Sequence, residues 1–428
     1  MVVGRIVTEH ASASRGRRTH VLGSLCAFVF LVNFGRIVFA PLLDPFMTTF
    51  GVGPARVGIV ATLAWLGSAL PRIPTGYLLT RVSRQHVVLG TGVLLAGSSA
   101  ATSRIPDDIV LRLGALDLGI LAVGPITLTA IDLVGFGAFV VGLASGAYFI
   151  AANPLVSELF PDRVGRVLGI HGTASQLAAV AAPIVVSVVL AGGSWRDVFV
   201  LLALGAALAT ISLVWTSRHA DMPTAGTTDR HLLRAVRRQW RIVFAGVAII
   251  GATGFVWNGL FNFYVPYLTA TKGLDPGTAN TLLTVVFAAG VPAFWVTGNL
   301  ADRFPHVPLM LSILGGFVVL LFAFTFVQGL WAIVAVTVVM GYVIHSLFPA
   351  LDTYLLDNLP DEDRSSAYAA YSGTMMVFQA TASAVVGALV ETQLSYNDVF
   401  RGFGVALVVI LLVLLGLHAI GRLPSSAR

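Results

Sequence analysis

The sequence predicts an all-α integral membrane protein whose twelve transmembrane helices form two six-helix bundles that repeat one another. The first observation is composition: 57% of the 428 residues are hydrophobic and 11% are charged, with a mean hydropathy of +0.88. So little polar surface excludes a soluble globular domain. The second is an internal repeat, since Asn33 precedes Pro41 by eight residues and Asn258 precedes Pro266 by the same eight.

Apolar stretches of about twenty residues follow one another along the chain, and each is long enough to cross a hydrocarbon core of about 30 Å. The first is too long, and too polar inside, for a cleaved signal peptide. The predicted spans are 22–46, 55–79, 86–103, 133–157, 167–191, 198–216, 242–268, 278–299, 308–328, 331–357, 366–390 and 399–420.

The repeat continues through both halves of the chain. Pro54 leads to Gly76 after twenty-two residues, and Pro276 leads to Gly298 after twenty-two residues. Later positions recur with a shift of 201: Arg163, Gly172 and Asp197 return as Arg364, Gly373 and Asp398. Two like halves of about six spans each are typical of a secondary transporter with its site between the halves.

One polar stretch, 217–241, separates the halves and is rich in Thr, Asp and Arg. We expect an N-terminal six-helix bundle over 1–216, a cytoplasmic linker over 217–241 and a C-terminal six-helix bundle over 242–428. The first bundle carries an additional stretch, about 104–132, between spans three and four. A Gly-Pro turn followed by alternating apolar and polar residues predicts an extracellular hairpin or cap there, with a re-entrant segment as the alternative.

The net charge of +6 is distributed unevenly between the loops. With the N-terminus inside, the inner loops and tails hold eighteen arginines and the outer loops hold six basic residues. This bias predicts a multi-pass protein of the plasma membrane with both termini cytoplasmic. The basic charge therefore reflects orientation in the bilayer and does not indicate a nucleic-acid partner.

Two loop segments repeat a recognisable pattern. Residues 76–84 read Gly-Tyr-Leu-Leu-Thr-Arg-Val-Ser-Arg, and residues 298–304 read Gly-Asn-Leu-Ala-Asp-Arg-Phe. Both resemble the loop signature Gly-x-Leu-x-Asp-Arg-x-Gly-Arg of the major facilitator superfamily, at the expected place after the second span of each half. Residues 195–199, Trp-Arg-Asp-Val-Phe, resemble the segment that opens span six in that family. The resemblance covers essentially the whole chain and implies the twelve-helix fold of that family.

Charged residues at the inner helix ends are candidates for a gate that closes when the two halves meet. Carboxylates beside arginines can form ion pairs that bias one conformation and break when the halves rock. In the first loop signature Thr80 replaces the aspartate of the family, so Asp302 is the stronger candidate there. The candidate gating residues are Asp302, Arg303, Glu158, Asp357, Arg364 and Arg81.

Two arginines lie near the middle of the membrane. Arg36 is eight residues from Asp44, about 12 Å below the outer edge, and Arg72 is nine residues from Arg81, about 13 Å from the inner edge. Ionisable groups at this depth are costly, and the first half has no acidic residue there. A bound anion is one partner for these guanidiniums. The alternative is that they reach the headgroups or bond to carbonyls freed by the prolines around Arg72.

The segment from Arg72 to Gly76 has weak local similarity to span two of the nitrate/nitrite porter branch. That branch has a second arginine in span eight, where this chain has Phe294. The residues therefore predict a small anion without identifying it.

Other polar side chains inside the predicted spans complete the candidate site. His345 is near mid-membrane on span ten, and either it or Asp352 could carry a coupled proton. Amides and phenols at depth must find partners, either on other helices or on a substrate. The candidates for substrate binding, besides the two arginines, are Asn33, Asn258, Asn262, Gln176, Tyr371 and Gln379.

These observations predict a secondary active transporter that moves a small anion by alternating access, coupled to protons as a symporter. No nucleotide-binding, metal or catalytic motif is found, so we expect no cofactor, no enzymatic activity and a monomer in the lipid bilayer. One alternative is proton-driven efflux of an amphipathic or drug-like compound, and this alternative predicts an acidic residue facing the cavity. Another alternative is a transporter-like receptor or assembly subunit, and this one predicts a large soluble appendage.

Overall fold

A computed structural model describes most of the chain. Its backbone is described over residues 2–423 except 115, 118–121, 124, 219, 221, 223–236, 239, 241–243, 245, 248–250, 302 and 359–360. Side chains are described from residue 16 onward, except at those positions and at 113, 116–117, 122–123, 126, 162, 164–165, 294–295, 298–299, 301, 349, 352–353, 355–358 and 361–369. Most of the predicted linker 217–241 lies outside the described residues.

The first half contains helices α1 (Val2–Ile37), α2 (Phe39–Phe50), α3 (Pro54–Ala69), α4 (Arg72–Leu78), α5 (Arg84–Thr102), α6 (Ala130–Leu159), α7 (Val164–Leu190) and α8 (Trp195–Ser217). The second half contains α9 (Ala252–Asn262), α10 (Tyr264–Lys272), α11 (Pro276–Ala301), α12 (His306–Phe326), α13 (Leu330–Asn358), α14 (Asp361–Ala380), α15 (Ala382–Glu391) and α16 (Tyr396–Ala419). Within the described part of the chain, nine helical segments are long and apolar enough to cross a membrane.

The repeated prolines explain where the first span of each half is interrupted. Helix α1 gives way to α2 at Val38, three residues before Pro41, and α9 gives way to α10 at Phe263, three residues before Pro266. A proline cannot donate to the carbonyl four residues earlier and its ring crowds that carbonyl, so the helix bends there. The sequence repeat is thus a repeat of helix geometry.

The stretch between α5 and α6 forms an antiparallel hairpin. Strand β1 (Val110–Leu113) pairs with β4 (Ile126–Thr129), and β2 (Leu116–Asp117) pairs with β3 (Ala122–Val123). We call the membrane side that carries this hairpin the hairpin face, and the opposite side the termini face.

The base of the hairpin is tied to helices of the first half. Asp132, in the first turn of α6, caps that helix with Thr129 and lies 2.6 Å from Arg56 of α3. Arg196 of α8 lies 2.6 Å from Asp107 and donates a second hydrogen bond, also 2.6 Å, to the carbonyl of Ile105. Both ends of the hairpin are therefore anchored to the first half.

The two halves meet closely at the hairpin face, where α3 packs against α15. Gly58 lies against the backbone carbonyl of Ser383, and Gly387 lies against the backbone of Pro54, so neither position has room for a side chain. We call this contact the glycine seam.

Two hydrogen bonds cross the glycine seam. The amide of Ala384 donates to the Thr62 hydroxyl over 3.0 Å, and the amide of Ala55 donates to the Glu391 carboxylate over 3.1 Å. Elsewhere the halves meet where α7 packs against α11. The described structure is thus tightly packed between the halves at the hairpin face.

Candidate functional site

Arg36 lies in the last turn of α1, immediately before the helix interruption, and its guanidinium is held by a neighbour one turn earlier. Its Nη2 donates to the Oδ1 of Asn33 over 2.5 Å, and the Asn33 Nδ2 donates to the carbonyl of Ser175 on α7 over 2.7 Å. Residues three apart share a helix face, so the sequence spacing places these two side chains together. Asn33 therefore orients the predicted arginine by anchoring it to a second helix.

Aromatic rings cover the rest of the Arg36 guanidinium. Its central carbon lies 4.3 Å from the ring centre of Trp65 on α3 and 5.9 Å from that of Phe149 on α6. A planar guanidinium stacks favourably on an aromatic face. Among the described residues no carboxylate forms an ion pair with Arg36. Its charge is thus neighboured by an amide and two rings.

Three buried nitrogen atoms around this point have no hydrogen-bond partner among the described residues. They are the Nε of Arg36, the Nε1 of Trp65 and the Nε2 of Gln176. Trp65 stacks on the Arg36 guanidinium, and Gln176 follows Ser175, whose carbonyl anchors Asn33, on α7. All three are N–H donors, and buried donors without acceptors cost free energy. The local chemistry therefore suits an anion or another group rich in acceptor oxygens.

Arg72 begins α4 and reaches the other half of the molecule. Its Nη1 donates to the hydroxyl of Ser372 on α14 over 2.6 Å, and its Nε lies 3.4 Å from the carbonyl of Ser68. The second contact is a long bond to a backbone carbonyl four residues earlier, where α3 gives way to α4. The charge of Arg72 also acts electrostatically on Arg36. The structure thus places two like charges near the interface of the halves.

An aromatic wall links the arginine site to the second half. Trp65 packs edge-on against Phe261 of α9 with ring centres 5.7 Å apart, and Phe261 contacts Trp257 at 5.7 Å. Trp257 in turn meets the imidazole of His345 at 5.5 Å in a T-shaped arrangement. We use the name aromatic wall for Trp65, Phe261 and Trp257. Arg36 contacts its Trp65 end and His345 its Trp257 end, and no contact between Arg36 and His345 is found among the described residues.

His345 of α13 is 4% exposed, and its ring packs on Gly290 of α11, where a Cβ would lie 2.5 Å from the imidazole. Its Nδ1 is 2.7 Å from the carbonyl of Gly341, one turn earlier. A carbonyl only accepts, so Nδ1 carries the proton of the neutral ring. Any additional proton therefore has to be taken up at Nε2.

The remaining predicted amides and phenol bond mainly within the second half. The Asn262 Nδ2 donates to the backbone and side-chain oxygens of Asn258 over 2.8 and 3.1 Å, and the Ser383 hydroxyl lies 3.4 Å from the same side-chain oxygen. Gln379 covers Gly254, and the Tyr371 hydroxyl lies 3.0 Å from the sulfur of Met375. In this conformation these contacts hold helices of the second half together, and none of them involves Arg36 or Arg72.

The candidate gating residues are described only in part. Glu158 pairs with Arg84 at 2.8 Å, so in this conformation its partner lies in the same half. Arg81 and Arg303 are exposed. The side chains of Asp352, Asp357 and Arg364, and the whole of Asp302, lie outside the described residues.

One buried polar cluster has no counterpart in the sequence predictions. The Tyr148 hydroxyl donates to the carbonyl of Leu25 over 2.7 Å and lies 3.0 Å from the Nε2 of His171. Because the hydroxyl has one proton and gives it to the carbonyl, His171 must donate from Nε2. Trp65 and Ser372 were missed as well, because no local pattern marks a residue that completes a site on another helix.

Comparison with known proteins decides the family. The profile described as Major Facilitator Superfamily matches residues 25–269 and 247–427, which together span almost the whole chain. The chain belongs to the major facilitator superfamily. Proteins of this superfamily are membrane transporters, so the predicted fold class is confirmed and the protein is a multi-pass membrane transporter.

Two relatives match over shorter stretches. An uncharacterised transporter, YycB, of Bacillus subtilis (strain 168) is 27% identical over 221 residues, which are 48% of this chain and 52% of that protein. The MFS-type transporter pytF of Aspergillus terreus (strain NIH 2624 / FGSC A1156) is 25% identical over 167 residues, 38% of this chain and 54% of that protein. The matched stretches thus span about half the length of these relatives.

Solved structures agree in fold. A bacterial homologue of the human lysosomal transporter Spinster, inward-facing and unoccupied, has a TM-score of 0.72 at 16% identity, covering 93% of this chain and 95% of that one. The nucleoside transporter NupG has a TM-score of 0.73 at 13% identity, covering 94% and 99%. A D-xylose–proton symporter has a TM-score of 0.68 at 14% identity, covering 92% and 97%. At these identities the likeness concerns the fold alone.

Proposed function

We propose that this protein is a proton-coupled symporter of the plasma membrane that carries a small organic anion by alternating access. Residues 1–216 and 242–428 act as the two rocking halves of a monomer, with both termini cytoplasmic. The observation that carries the proposal is Arg36, whose buried guanidinium is hydrogen-bonded to a neutral amide and stacked on Trp65.

Electrostatics supports an anionic substrate. A buried charge is stabilised only when opposite charge or well-placed hydrogen bonds replace its hydration. The Arg36 Nε, the Trp65 Nε1 and the Gln176 Nε2 are donors without partners among the described residues. A carboxylate has two acceptor oxygens that accept bidentate bonds from a guanidinium. Such a group would satisfy these donors and offset the repulsion between Arg36 and Arg72.

The aromatic side chains near Arg36 support an organic anion over an inorganic one. The aromatic wall offers rings beside the charge, and aromatic faces favour apolar or planar groups over a fully hydrated inorganic ion. Arg72 donates to Ser372 across the interface of the halves, so a substrate that draws Arg72 toward it would alter a contact between the halves. Binding and rocking are thereby linked in one place.

Proton coupling is assigned to His345 or Asp352. His345 has its Nδ1 proton committed to the Gly341 carbonyl, so protonation at Nε2 would place a positive charge behind the aromatic wall. A positive charge there would favour an anion on the other side of the wall and would be lost when the proton leaves. Asp352 is the alternative carrier on the same helix.

The test is uptake of radiolabelled carboxylates into proteoliposomes, with and without an inward proton gradient. Arg36→Gln is expected to abolish anion uptake, and Arg36→Lys to retain little of it, because a point charge does not replace the planar fork. Arg401→Gln is the matched control, since Arg401, like Arg36, donates to a neutral side-chain oxygen, here the Thr325 hydroxyl at 3.1 Å, and stacks on a ring, that of Phe326 at 4.2 Å. Undiminished uptake by Arg36→Gln and Arg72→Gln together would exclude the anion site.

The coupling assignment has its own readout. His345→Gln and Asp352→Asn are compared for uptake driven by the proton gradient and for counterflow exchange, which needs no net proton movement. The coupling residue is the one whose loss stops gradient-driven uptake and leaves exchange intact. If both variants remain gradient-driven, proton symport through these residues is wrong.

Export of an amphipathic compound is the second candidate, and the aromatic wall favours it because such walls suit bulky apolar solutes. It is distinguished in the same vesicles. Export predicts that amphipathic cations compete for transport and that Arg36→Gln improves their binding. Symport of an anion predicts neither.

A further inference from the structure

A groove runs along the outside of the first half between α5 and α6. Its volume is about 540 Å³, and its walls include Val93, Leu94, Gly97, Leu133, Phe136 and Val140. Val93 and Phe136 are 66% and 65% exposed, so the groove opens away from the helix bundle. It is therefore separate from the arginine site at the interface of the halves.

The floor of the groove is formed by glycine. An added Cβ at Gly90 or Gly97 would meet no atom within 4 Å, whereas at Gly137 of α6 it would collide with Thr102 of α5. The two helices thus touch at Gly137 and leave open space along the glycine stripe. A groove of this shape admits a slender chain.

The two hydroxyl groups in the lining of the groove, those of Ser98 and Thr102, are already hydrogen-bonded. The hydroxyl of Thr102 donates to the carbonyl of Ser98 over 2.8 Å, and that of Ser98 donates to the carbonyl of Leu95 over 3.2 Å. Both hydroxyl protons are donated to backbone carbonyls of α5, so neither hydroxyl needs a polar ligand as its acceptor. The occupant of this part of the groove is therefore a hydrocarbon.

The length of the groove matches one membrane leaflet. The lining residues on α5 extend from Gly90 to Thr102, and twelve residues of helix rise about 18 Å, after which Ile105 continues the lining. One leaflet contributes about 15 Å of hydrocarbon, to which the headgroup region adds several ångströms. The groove accordingly runs from the middle of the membrane to the hairpin face.

An arginine, Arg104, lies next to the end of the groove at the hairpin face. Arg104 lies in the turn after α5, between Thr102 and Ile105, which both line the groove. Arg104 is exposed, and no hydrogen bond or ion pair of its side chain is found among the described residues. The nearby carboxylate of Asp107 is taken by Arg196 at 2.6 Å. Arg104 is thus available to an anionic headgroup at the level where phosphates lie.

We propose that this groove is a phospholipid site: one acyl chain of a glycerophospholipid from the hairpin-face leaflet lies along Gly90 and Gly97, and its phosphate is bound by Arg104. The apolar walls account for the chain, the length for a single leaflet, and the arginine for the phosphate. Binding there braces α5 against α6, beside the anchored base of the hairpin.

The experiment uses the full chain in nanodiscs that contain phosphatidylglycerol with a diazirine on one acyl chain. After illumination, labelled peptides are mapped by mass spectrometry. We expect labelling at Val93 and Phe136 to exceed that of the lipid-exposed helix α16. Gly97→Leu, which fills the groove without a collision, should reduce it to the level of α16. Gly416→Leu is the matched control, because Gly416 is an exposed glycine of α16 with no atom within 4 Å of an added Cβ.

The headgroup is tested separately. Arg104→Gln should weaken labelling at the groove about tenfold, as expected for one charge-assisted hydrogen bond, whereas Arg218→Gln, an exposed arginine after α8, should not. Unlabelled phosphatidylglycerol should compete and diacylglycerol should not. Labelling equal to that of α16 in the unaltered protein, or unchanged by Gly97→Leu, overturns the site. Labelling that survives Arg104→Gln and yields to diacylglycerol overturns the phosphate contact. Gel filtration of each variant establishes that it is folded.

Discussion

The glycine seam gives the sharpest prediction about conformational change. In Gly387→Ala, the added methyl would lie 2.8 Å from the carbonyl carbon of Pro54 and 2.9 Å from the Cα of Ala55, and closer still to the Pro54 oxygen. These are backbone atoms of α3, so no flexible side chain can move aside. Ordinary contact begins at 3.4 Å, so α3 and α15 must separate by more than about 0.6 Å.

That separation has a calculable effect on the seam. The bond from Ala384 to Thr62 at 3.0 Å and the bond from Ala55 to Glu391 at 3.1 Å would both stretch beyond 3.5 Å. Losing two hydrogen bonds of about 1 kcal/mol each shifts the equilibrium by about 2 kcal/mol, a factor of about 30. Gly387→Ala should therefore favour the conformation in which the halves are apart at the hairpin face.

The assay is a distance measurement between spin labels at Thr49, in the last turn of α2, and Leu394, just after α15; both residues are exposed and they lie on opposite halves. Cys26, the single cysteine, is first replaced by alanine. The population at longer distance should rise in Gly387→Ala and stay unchanged in Gly172→Ala, where an added Cβ meets no atom within 4 Å. If both variants give the distance distribution of the parent protein, the seam does not control closure.

Three further substitutions probe separate parts of the molecule. Asn33→Asp places a carboxylate against Arg36, and the apparent affinity for an anion should fall at least about tenfold in uptake assays, because the protein then supplies the counter-ion. Tyr148→Phe deprives the buried His171 of its acceptor and should lower the free energy of unfolding by about 1 to 3 kcal/mol, measured by denaturation in detergent micelles. Arg84→Ala breaks the ion pair with Glu158 inside the first half. It should lower the free energy of unfolding by about 2 kcal/mol without changing the spin-label distances. A changed distance distribution would instead make that pair part of the gate.

Features that follow from local sequence were predictable. Each repeated proline near the end of the first span removes one backbone donor, so Pro41 and Pro266 specify a helix interruption at the same relative place in both halves. The three-residue spacing of Asn33 and Arg36 likewise specifies a shared helix face. Both features rest on chemistry within one or two turns of helix.

The rest of the site depends on how helices cross. Trp65 stacks on Arg36 from α3, and Ser372 accepts from Arg72 across the two halves, although neither position carries a sequence signal for that contact. The prediction that Glu158 belongs to a gate between the halves likewise could not anticipate Arg84 as its partner. A charge pattern states which pairs are possible, and only the packing of α5 against α6 brings this one together.

The anchored hairpin has a practical consequence for watching this protein work. The contacts described for its base, from Arg56 and Arg196, all belong to the first half, so the base of the hairpin must travel with that half. A fluorophore or a nanobody attached to the hairpin would report the tilt of one half against the other. Because its base is tied to Arg56, next to the Ala55 amide that bonds across the glycine seam, such a probe would report motion close to the place where the halves part.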